Sequence, residues 1–296
     1  MSQPFVLPGL GPPVTLDESY AQCERLATSH YENFSVGSWL LPKAVRKHVY
    51  AMYAYSRYVD DLGDEVEGPN RLTYLYNLEQ DVRRMYDGTP LHPMLLAVQD
   101  TAQKCQIPPE PFLKLIHANR MDQEKTRFET YDELAFYCDH SANPCGRLFL
   151  YCSGFRDPDL QRLSDFTCTA LQLTNFWQDV AIDWGKGRVY LPQEDLRRFG
   201  YREEEIAAQV VNPAFVELMK FEIARTREIF ANGLALVDRL EGQVRMDVRL
   251  FTRGGSALLD GIEANGYDVY RRRPTVSKGK KVRLMLGETL RLLLGM

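Results

Sequence analysis

Apolar residues recur three and four positions apart along most of the chain, which is the period of an amphipathic α-helix. Alternating apolar and polar positions, the mark of β-strands, are scarce, and no segment repeats. The pattern predicts one all-α domain over residues 1–296, in which residues 1–14 are irregular. The predicted helices cover 70–86, 91–105, 109–127, 131–153, 157–184, a long span from Asn212-Pro213 to about Leu240, 244–271 and 277–294.

Capping signals mark where some of these helices begin and end. Thr15 followed by Glu18 forms a capping box that opens a helix toward His30. Leu41-Pro42 begins a long second helix, and Gly68-Pro69-Asn70 ends it. Asn143-Pro144 predicts a kink inside the helix over 131–153.

Two oxygen-rich clusters stand out from this helical background. The first contains Asp60, Asp61 and Asp64, and the second contains Asn175, Asp179 and Asp183. Residues four apart lie on one face of a helix with about 6 Å of rise between them, so each cluster forms a ladder of oxygen atoms. Two carboxylates about 4 Å apart repel by roughly 4 kcal/mol at an effective dielectric constant near 20.

A divalent cation relieves this repulsion, and Mg²⁺ prefers oxygen ligands from one or two carboxylates, water and phosphate. We therefore predict that several Mg²⁺ ions bridge a diphosphate to ligands in both clusters, across an enclosed apolar chamber. The predicted metal ligands are Asp60, Asp64, Asn175, Asp179 and Asp183, and Asp61 completes the predicted catalytic set.

The alternative is that both acidic runs are solvated helix ends, as most charge clusters are. The residues that precede the clusters argue against it. The segments 49–59 and 166–174 are nearly free of charge, which is typical of buried helices that would deliver the clusters to an interior.

Composition excludes several other classes of protein. With a net charge of −4 over 296 residues, no basic face dominates, so we expect no nucleic-acid partner. No stretch of eighteen apolar residues occurs and the N-terminus lacks a signal-peptide pattern, so a cytoplasmic location is expected. The six cysteines lack metal-site spacing and are interpreted as small buried thiols; Cys138, Cys145 and Cys152 would share one helix face.

Segment 53–64 contains the first cluster. Segment 171–192 contains the second cluster and ends in the tail Arg188-Val-Tyr190-Leu-Pro192. Both segments resemble the squalene and phytoene synthases. The resemblance spans about residues 17 to 285. It implies an all-α, isoprenoid-synthase-like helical bundle around a central cavity, with metal-bound diphosphate at the mouth and prenyl chains inside.

Further site residues follow from this resemblance. Arg57 matches an arginine beside the first cluster, and Arg188 with Tyr190 matches a pair after the second. The matched cavity or diphosphate positions are Tyr53, Tyr137, Gln172 and Tyr267. Tyr53 and Tyr137 equally fit ordinary core aromatics, and Arg188 equally fits a salt-bridge partner.

One departure points to a branch of the family. The stretch His30-Tyr31-Glu32-Asn33-Phe34 stands where condensing members have one like Ser-Lys-Thr-Phe, so an acidic residue replaces a basic one. That change weakens binding of a second diphosphate. This stretch and 141–147 look like the bacterial hydroxysqualene synthases of hopanoid pathways, which take presqualene diphosphate.

The mechanism implied is ionisation followed by capture of water, with no reductant and no NADPH. Phe34, Tyr53 and Tyr137 would stabilise the cation through their aromatic faces. Asn143 could place the water, although its position before Pro144 is more typical of a kink residue.

Other interpretations stay open at this stage. They are head-to-head condensation to presqualene diphosphate, squalene or a carotenoid precursor, a terpene cyclase, and a non-catalytic assembly factor of the same fold. A basic stretch from Arg271 to Arg283, followed by leucines, either contacts an anionic inner membrane peripherally or packs on the bundle. A presqualene diphosphate synthase would hand over the substrate.

Overall fold

The computed structural model describes residues 15–29, 41, 43–66, 70–277, 279, 283 and 285–288. Within these ranges the chain forms thirteen α-helices and no β-strand, and an isolated bridge joins Arg127 and Val189. The predicted all-α class is confirmed. The helices are α1 (Leu16–Ser29), α2 (Lys43–Asp64), α3 (Arg71–Asp87), α4 (Pro93–Cys105), α5 (Glu110–Glu124), α6 (Tyr131–Ser141), α7 (Asn143–Cys152), α8 (Pro158–Gln178), α9 (Val180–Gly185), α10 (Gln193–Phe199), α11 (Glu203–Ala207), α12 (Pro213–Arg239) and α13 (Gly242–Ala264).

The chain divides into two compact units, each assembled from two stretches of sequence. Unit 1 comprises residues 1–124 and 144–161, and unit 2 comprises residues 125–143 and 162–296. The single domain over 1–296 stays a prediction. No helix among the described residues is long and apolar enough to cross a membrane.

Unit 1 is built around α2, which packs against α1, α3, α4 and α5. The Tyr55 side chain of α2 is fully buried, its hydroxyl donates to the Phe112 carbonyl at 2.9 Å, and the two rings meet edge to face at 5.1 Å. The predicted capping box holds α1, since the Glu18 amide donates to Thr15 Oγ1 at 3.2 Å and the Thr15 amide to Glu18 Oε2 at 2.9 Å. Buried contacts therefore fix the course of α2.

Unit 2 is built around the long helix α12, which packs against α13 and touches α8 through small residues. The Trp177 side chain of α8 is fully buried and its Nε1 donates to Thr226 Oγ1 of α12 at 2.8 Å. Gly255 of α13 lies against Phe230 and Leu171, so a side chain there would meet both. These contacts fix the C-terminal part of α8, where the second cluster begins.

Three predicted helix boundaries need correction. The helix over 131–153 is two helices separated at Ala142, just before the Asn143-Pro144 pair, and the helix over 157–184 is interrupted at Asp179. The helix predicted over 244–271 ends at Ala264, because Gly266 and Tyr267 adopt positive φ.

The cysteine prediction is right only in part. Four of the six thiols are buried, but Cys145 is exposed and Cys168 is half-buried. Cys138 lies on α6 while Cys145 and Cys152 lie on α7, so the seven-residue spacing does not follow one helix.

Several predictions fall wholly or mostly outside the described residues. They concern residues 1–14, the stretch 30–34 with Glu32 and Phe34, the helix end at 68–70, the helix over 277–294 and the basic stretch after residue 277.

A buried charge cluster ties α12 to α10 in unit 2. Arg225 Nη1 contacts Asp195 Oδ2 at 2.9 Å and Glu222 Oε2 at 3.1 Å, and Glu222 is completely buried. Burial raises the pKa of Glu222 to about 8, although Arg225 opposes the shift. Burial therefore favours the protonated form of Glu222, and the charge of the nearby Asp195 adds to this effect.

The first prediction concerns helix packing in unit 2. A Cβ atom at Gly255 would lie 2.5 Å from Phe230 Cζ and 2.8 Å from Leu171 Cδ2, so Gly255→Ala is expected to lower the free energy of unfolding by about 1–3 kcal/mol. The neighbouring Gly254→Ala meets nothing within 4 Å and is expected to stabilise α13 by up to roughly 1 kcal/mol. Urea unfolding of both variants measures the difference, and equal stabilities would contradict the packing.

The second prediction concerns pH. Because the pKa of Glu222 in the folded state lies above its ordinary value, the folded protein binds an extra proton between about pH 4.5 and pH 8, and this contribution to stability declines as pH rises through that window. Glu222→Gln removes the titration, so its stability relative to the wild type should rise steadily from about pH 5 to pH 8. Denaturant unfolding across this range measures the difference, and a pH-independent difference would contradict the shift.

Candidate active site

The first acidic cluster lies at the C-terminal end of α2. Asp60, Asp61 and Asp64 occupy its last turns, and the helix ends at Asp64. The carbonyl end of a helix carries partial negative charge, which adds to that of the three carboxylates. Arg57 Nη2 contacts Asp61 Oδ1 at 2.7 Å, with both side chains about one-third exposed. This end of α2 therefore concentrates negative charge close to two arginines, since Arg71 Nη2 also donates to the Asp64 carbonyl at 2.9 Å.

Helix α5 holds the cluster in place from the side. Asn119 Nδ2 donates to Asp60 Oδ1 at 3.1 Å, and Gln123 Nε2 donates to the Gly63 carbonyl at 3.0 Å. A Cβ atom at Gly63 would lie 2.2 Å from Asn119 Oδ1, so a larger residue at position 63 would displace the Asn119 side chain. The sequence prediction missed Asn119 and Gln123. A glycine inside a helical acidic run was the available signal, since it indicates close approach of a neighbouring element.

A cavity of about 240 Å³ lies between α2 and α7 within unit 1. Its lining is apolar over most of its length and ionic at the end that carries Arg57 and Asp60. The lining residues are Val49, Met52, Tyr53, Ser56, Arg57, Asp60, Cys145, Leu148 and Phe149. Three predicted site residues, Tyr53, Arg57 and Asp60, are thus brought together. The volume is below the roughly 300–1,000 Å³ of complete ligand pockets, so it suits one segment of a long aliphatic chain.

The Asp60 carboxylate is accessible to solvent but lies on the wall of this concavity. Burial by the surrounding wall raises the pKa of Asp60 to about 6, and the nearby Asp64 and Asp61 add to the rise, while the hydrogen bond from Asn119 and the charge of Arg57 oppose it. The concave wall explains why the Asp60 carboxylate is accessible to solvent and yet has a raised pKa, because such a wall limits the hydration of a carboxylate without covering it. A bound cation would favour the charged form.

The second cluster lies at the junction of α8 and α9. Asn175 is exposed in the last turn of α8, Asp179 separates the two helices and is only 8% exposed, and Asp183 is half-buried in α9. The Asp179 amide donates to the Asn175 carbonyl and the Asp183 amide to the Asp179 carbonyl, both at 2.9 Å. The helix is interrupted where a continuous one was predicted, yet the four-residue spacing of the ladder is retained.

Arg273 binds the Asp179 carboxylate through two contacts. Its Nε donates to Oδ1 at 2.5 Å and its Nη2 to Oδ2 at 2.9 Å. Beside this pair, Gln178 Nε2 donates to the Pro274 carbonyl at 2.5 Å. Arg273 was predicted only as part of a basic stretch that either contacts a membrane or packs on the bundle, and its contact with Asp179 was not predicted.

Asp183, Arg188 and Tyr190 line a second, very small cavity of about 10 Å³ in unit 2. The Arg188 amide donates to the Asp183 carbonyl at 2.8 Å, which folds the predicted tail back onto the cluster. The Tyr190 ring stacks on Phe176 at 3.8 Å and lies 5.8 Å from the Tyr137 ring. Tyr137 and Tyr190 are both buried, so they belong to one aromatic cluster next to the second acidic cluster.

Three further predicted residues are not among those that line the two cavities. Gln172 is half-buried on α8, one turn before Asn175. Tyr267 has a φ of 64° in the turn that ends α13, where its amide donates to the Ile262 carbonyl at 2.9 Å. Asn143 is buried, with Oδ1 accepting from Thr169 Oγ1 at 2.9 Å and Nδ2 donating to Asp139 Oδ1 at 3.4 Å. Their roles in the site stay predictions.

The donor set of the clusters fits Mg²⁺. Among the described residues, no three histidine, cysteine, aspartate or glutamate side chains form a ready-made metal site. Mg²⁺ needs only one or two carboxylates, because water and substrate phosphates supply its other ligands. Oxygen-only ligands on a helix end with excess negative charge match this requirement.

Comparison with known proteins agrees with these features. The family of squalene/phytoene synthases matches residues 27–280. The phytoene synthase of Arthrospira platensis is 31% identical over 292 residues, covering 93% of this chain and 94% of that protein. Phytoene synthase 2 of Solanum lycopersicum is 32% identical over 289 residues, covering 94% and 91%.

Solved structures extend the likeness. Squalene synthase HpnC from Alicyclobacillus acidocaldarius is 41% identical with a TM-score of 0.82, covering 86% of this chain and 97% of that one. A dehydrosqualene synthase crystallised with a ligand is 23% identical with a TM-score of 0.85, covering 94% and 98%, and so shares the fold. The matches span most of the chain, and the protein therefore belongs to the squalene/phytoene synthase family of head-to-head prenyl transferases, with its isoprenoid-synthase-like fold.

Proposed function

We propose that the protein ionises presqualene diphosphate and adds water to the resulting cation, which yields hydroxysqualene and diphosphate. The choice of substrate is carried by Glu32, an acidic residue where condensing members of the family have a basic one. Repulsion there disfavours a second diphosphate, and presqualene diphosphate has only one. The 41% identity to a protein named a squalene synthase, against 31–32% to phytoene synthases, supports the squalene branch.

The head of the substrate would bind at the acidic clusters. Asp60 and Asp64 in the first cluster, and Asn175, Asp179 and Asp183 in the second, would hold Mg²⁺, which would supply positive charge to the departing diphosphate. Arg57 is bound to Asp61 through a single short contact and is partly exposed, so its guanidinium can turn to donate to phosphate oxygens. Arg188 is a second arginine suited to this role.

One segment of the substrate's hydrocarbon tail would occupy the cavity between α2 and α7. With that segment bound, the apolar wall would limit access of bulk water and protect a carbocation from uncontrolled capture. The rings of Tyr53 and Phe149 line it, and an aromatic face stabilises a nearby cation by about 0.5–2 kcal/mol. Phe34 and Tyr137 are proposed for the same purpose. Addition of water consumes no electrons, so the reaction needs no NADPH.

The substrate has to come from a head-to-head condensation of two prenyl diphosphates. A presqualene diphosphate synthase is therefore the enzyme expected to act before this one. Contact with a membrane surface through the C-terminal basic stretch stays a prediction, since much of that stretch lies outside the described residues.

Condensation of two prenyl diphosphates is the second candidate function. Head-to-head condensation characterises the squalene/phytoene synthase family, and the curated relatives named above are phytoene synthases. Condensation requires room and positive charge for two diphosphates. Incubation with farnesyl and geranylgeranyl diphosphates therefore distinguishes the two functions, as the third prediction describes.

The third prediction identifies the reaction. Purified protein with Mg²⁺ is incubated separately with presqualene, farnesyl and geranylgeranyl diphosphates in ¹⁸O-labelled water, and products are identified by mass spectrometry. We expect ¹⁸O-labelled hydroxysqualene from presqualene diphosphate without a reductant. Asp60→Asn, the control for the site, should lower kcat/KM on the order of 10²–10³-fold. Phytoene from geranylgeranyl diphosphate, or presqualene diphosphate from farnesyl diphosphate, would support condensation instead.

The fourth prediction concerns the contact between α2 and α5. Gly63→Ala forces the Asn119 side chain away from Asp60, and misplacing a metal ligand by about 1 Å costs up to 10²-fold in rate, so we expect kcat/KM to fall 10-fold or more. The same substitution in an Asn119→Ala background should lower kcat/KM little further, because the Asn119 side chain that it displaces is absent. Losses that multiply in the double variant would contradict this mechanism, and thermal unfolding controls for stability.

A further inference from the structure

The pairing of Arg273 with Asp179 fixes the orientation of a nearly buried carboxylate. Both oxygens of Asp179 accept from the guanidinium, at 2.5 and 2.9 Å, and the side chain is 8% exposed. Two parallel hydrogen bonds restrict rotation about the carboxylate far more than one does. The two residues are ninety-four positions apart in sequence, so the pair depends on the tertiary fold.

The position of Asp179 makes this orientation notable. Asp179 is the N-cap residue of α9, where an aspartate ordinarily turns back to accept from the first amides of its own helix. Its side chain makes no such capping bond. Arg273 therefore holds the carboxylate away from the orientation that the local sequence favours.

A second contact shows that the arrangement is built into the fold. Gln178 and Pro274 are each buried, and Gln178 Nε2 donates to the Pro274 carbonyl at 2.5 Å. Consecutive residues 178–179 at the helix junction are thus bound by consecutive residues 273–274 of the segment after α13. This segment binds both the Gln178 side chain and the Asp179 carboxylate.

We propose that Arg273 is a positioning residue, which holds Asp179 in the orientation that ligates the cation. The inference rests on the proposed function, in which Asp179 is a metal ligand. Each carboxylate oxygen has two lone pairs, so an oxygen that accepts from Arg273 retains one for a metal. Partners that orient a ligand in this way typically contribute 10–100-fold in metal affinity.

Charge and shape both contribute to this role. Before a cation binds, a nearly buried carboxylate needs a positive partner, and Arg273 supplies it. Lysine would keep the charge but could not reproduce the two parallel bonds. A lysine variant therefore separates neutralisation of Asp179 from its orientation.

The test measures metal binding directly. Mn²⁺ affinity is determined by electron paramagnetic resonance, with and without inorganic pyrophosphate, for the wild type, Arg273→Ala and Arg273→Lys. Arg227→Ala is the matched control, because Arg227 also contacts two carboxylate oxygens in unit 2, Asp260 Oδ1 at 3.0 Å and Glu263 Oε2 at 2.7 Å. We expect both Arg273 variants to bind Mn²⁺ about 10–100-fold more weakly, with the control within twofold of the wild type.

Steady-state kinetics gives a second readout. If Arg273 acts through the metal, excess Mg²⁺ should restore much of the kcat of Arg273→Lys, which a merely structural defect would not allow. Mn²⁺ affinity in Arg273→Lys equal to that of the control, or tighter than in the wild type, would overturn the proposal, whether or not Arg273→Ala folds. The Mn²⁺ affinities do not depend on which product forms. A wild-type protein that binds Mn²⁺ but makes no hydroxysqualene would therefore contradict the proposed reaction and not the role of Arg273.

Discussion

The need to compensate clustered carboxylates governs each of the two acidic clusters. Asp60, Asp61 and Asp64 add their charge to the negative end of α2, and burial raises the pKa of Asp60. In the second cluster, Asp179 is nearly buried and bound at both oxygens by Arg273. Arg57 contacts Asp61 in the first cluster, as Arg273 contacts Asp179 in the second. Cation binding would neutralise the charge that remains.

The fold provides specific backbone features for holding these charged groups. Gly63 allows α5 to approach α2 so closely that Asn119 reaches Asp60, and the interruption at Asp179 separates α8 from α9 while keeping the helical spacing of the ladder. Between α2 and α7, an apolar wall continues up to Arg57 and Asp60, so one cavity joins a surface for an aliphatic chain to an ionic end. That combination suits a prenyl diphosphate, whose two halves differ in the same way.

Local patterns in the sequence predicted much of this structure because they act over a few residues. The capping box at Thr15 and Glu18, the Asn212-Pro213 start of α12 and the four-residue spacing of both clusters depend only on neighbours in the chain. Tyr53 and Arg57 were predicted from the family resemblance, and together with Asp60 they line one cavity. By contrast, Asn119 and Arg273 lie 59 and 94 residues from their partners, and no local signal specifies such pairs. The break at Asp179 was missed for a related reason, since contacts from the segment at 273–274 stabilise it.

The central claim is that both acidic clusters bind divalent cations. Anomalous diffraction from crystals grown with Mn²⁺ and inorganic pyrophosphate tests it most directly. The account predicts Mn²⁺ peaks bonded to carboxylate oxygens of Asp60 or Asp64 and of Asp179 or Asp183, with pyrophosphate oxygens completing the coordination. Peaks confined to other residues, or a fully ordered site without Mn²⁺ at saturating concentration, would contradict it.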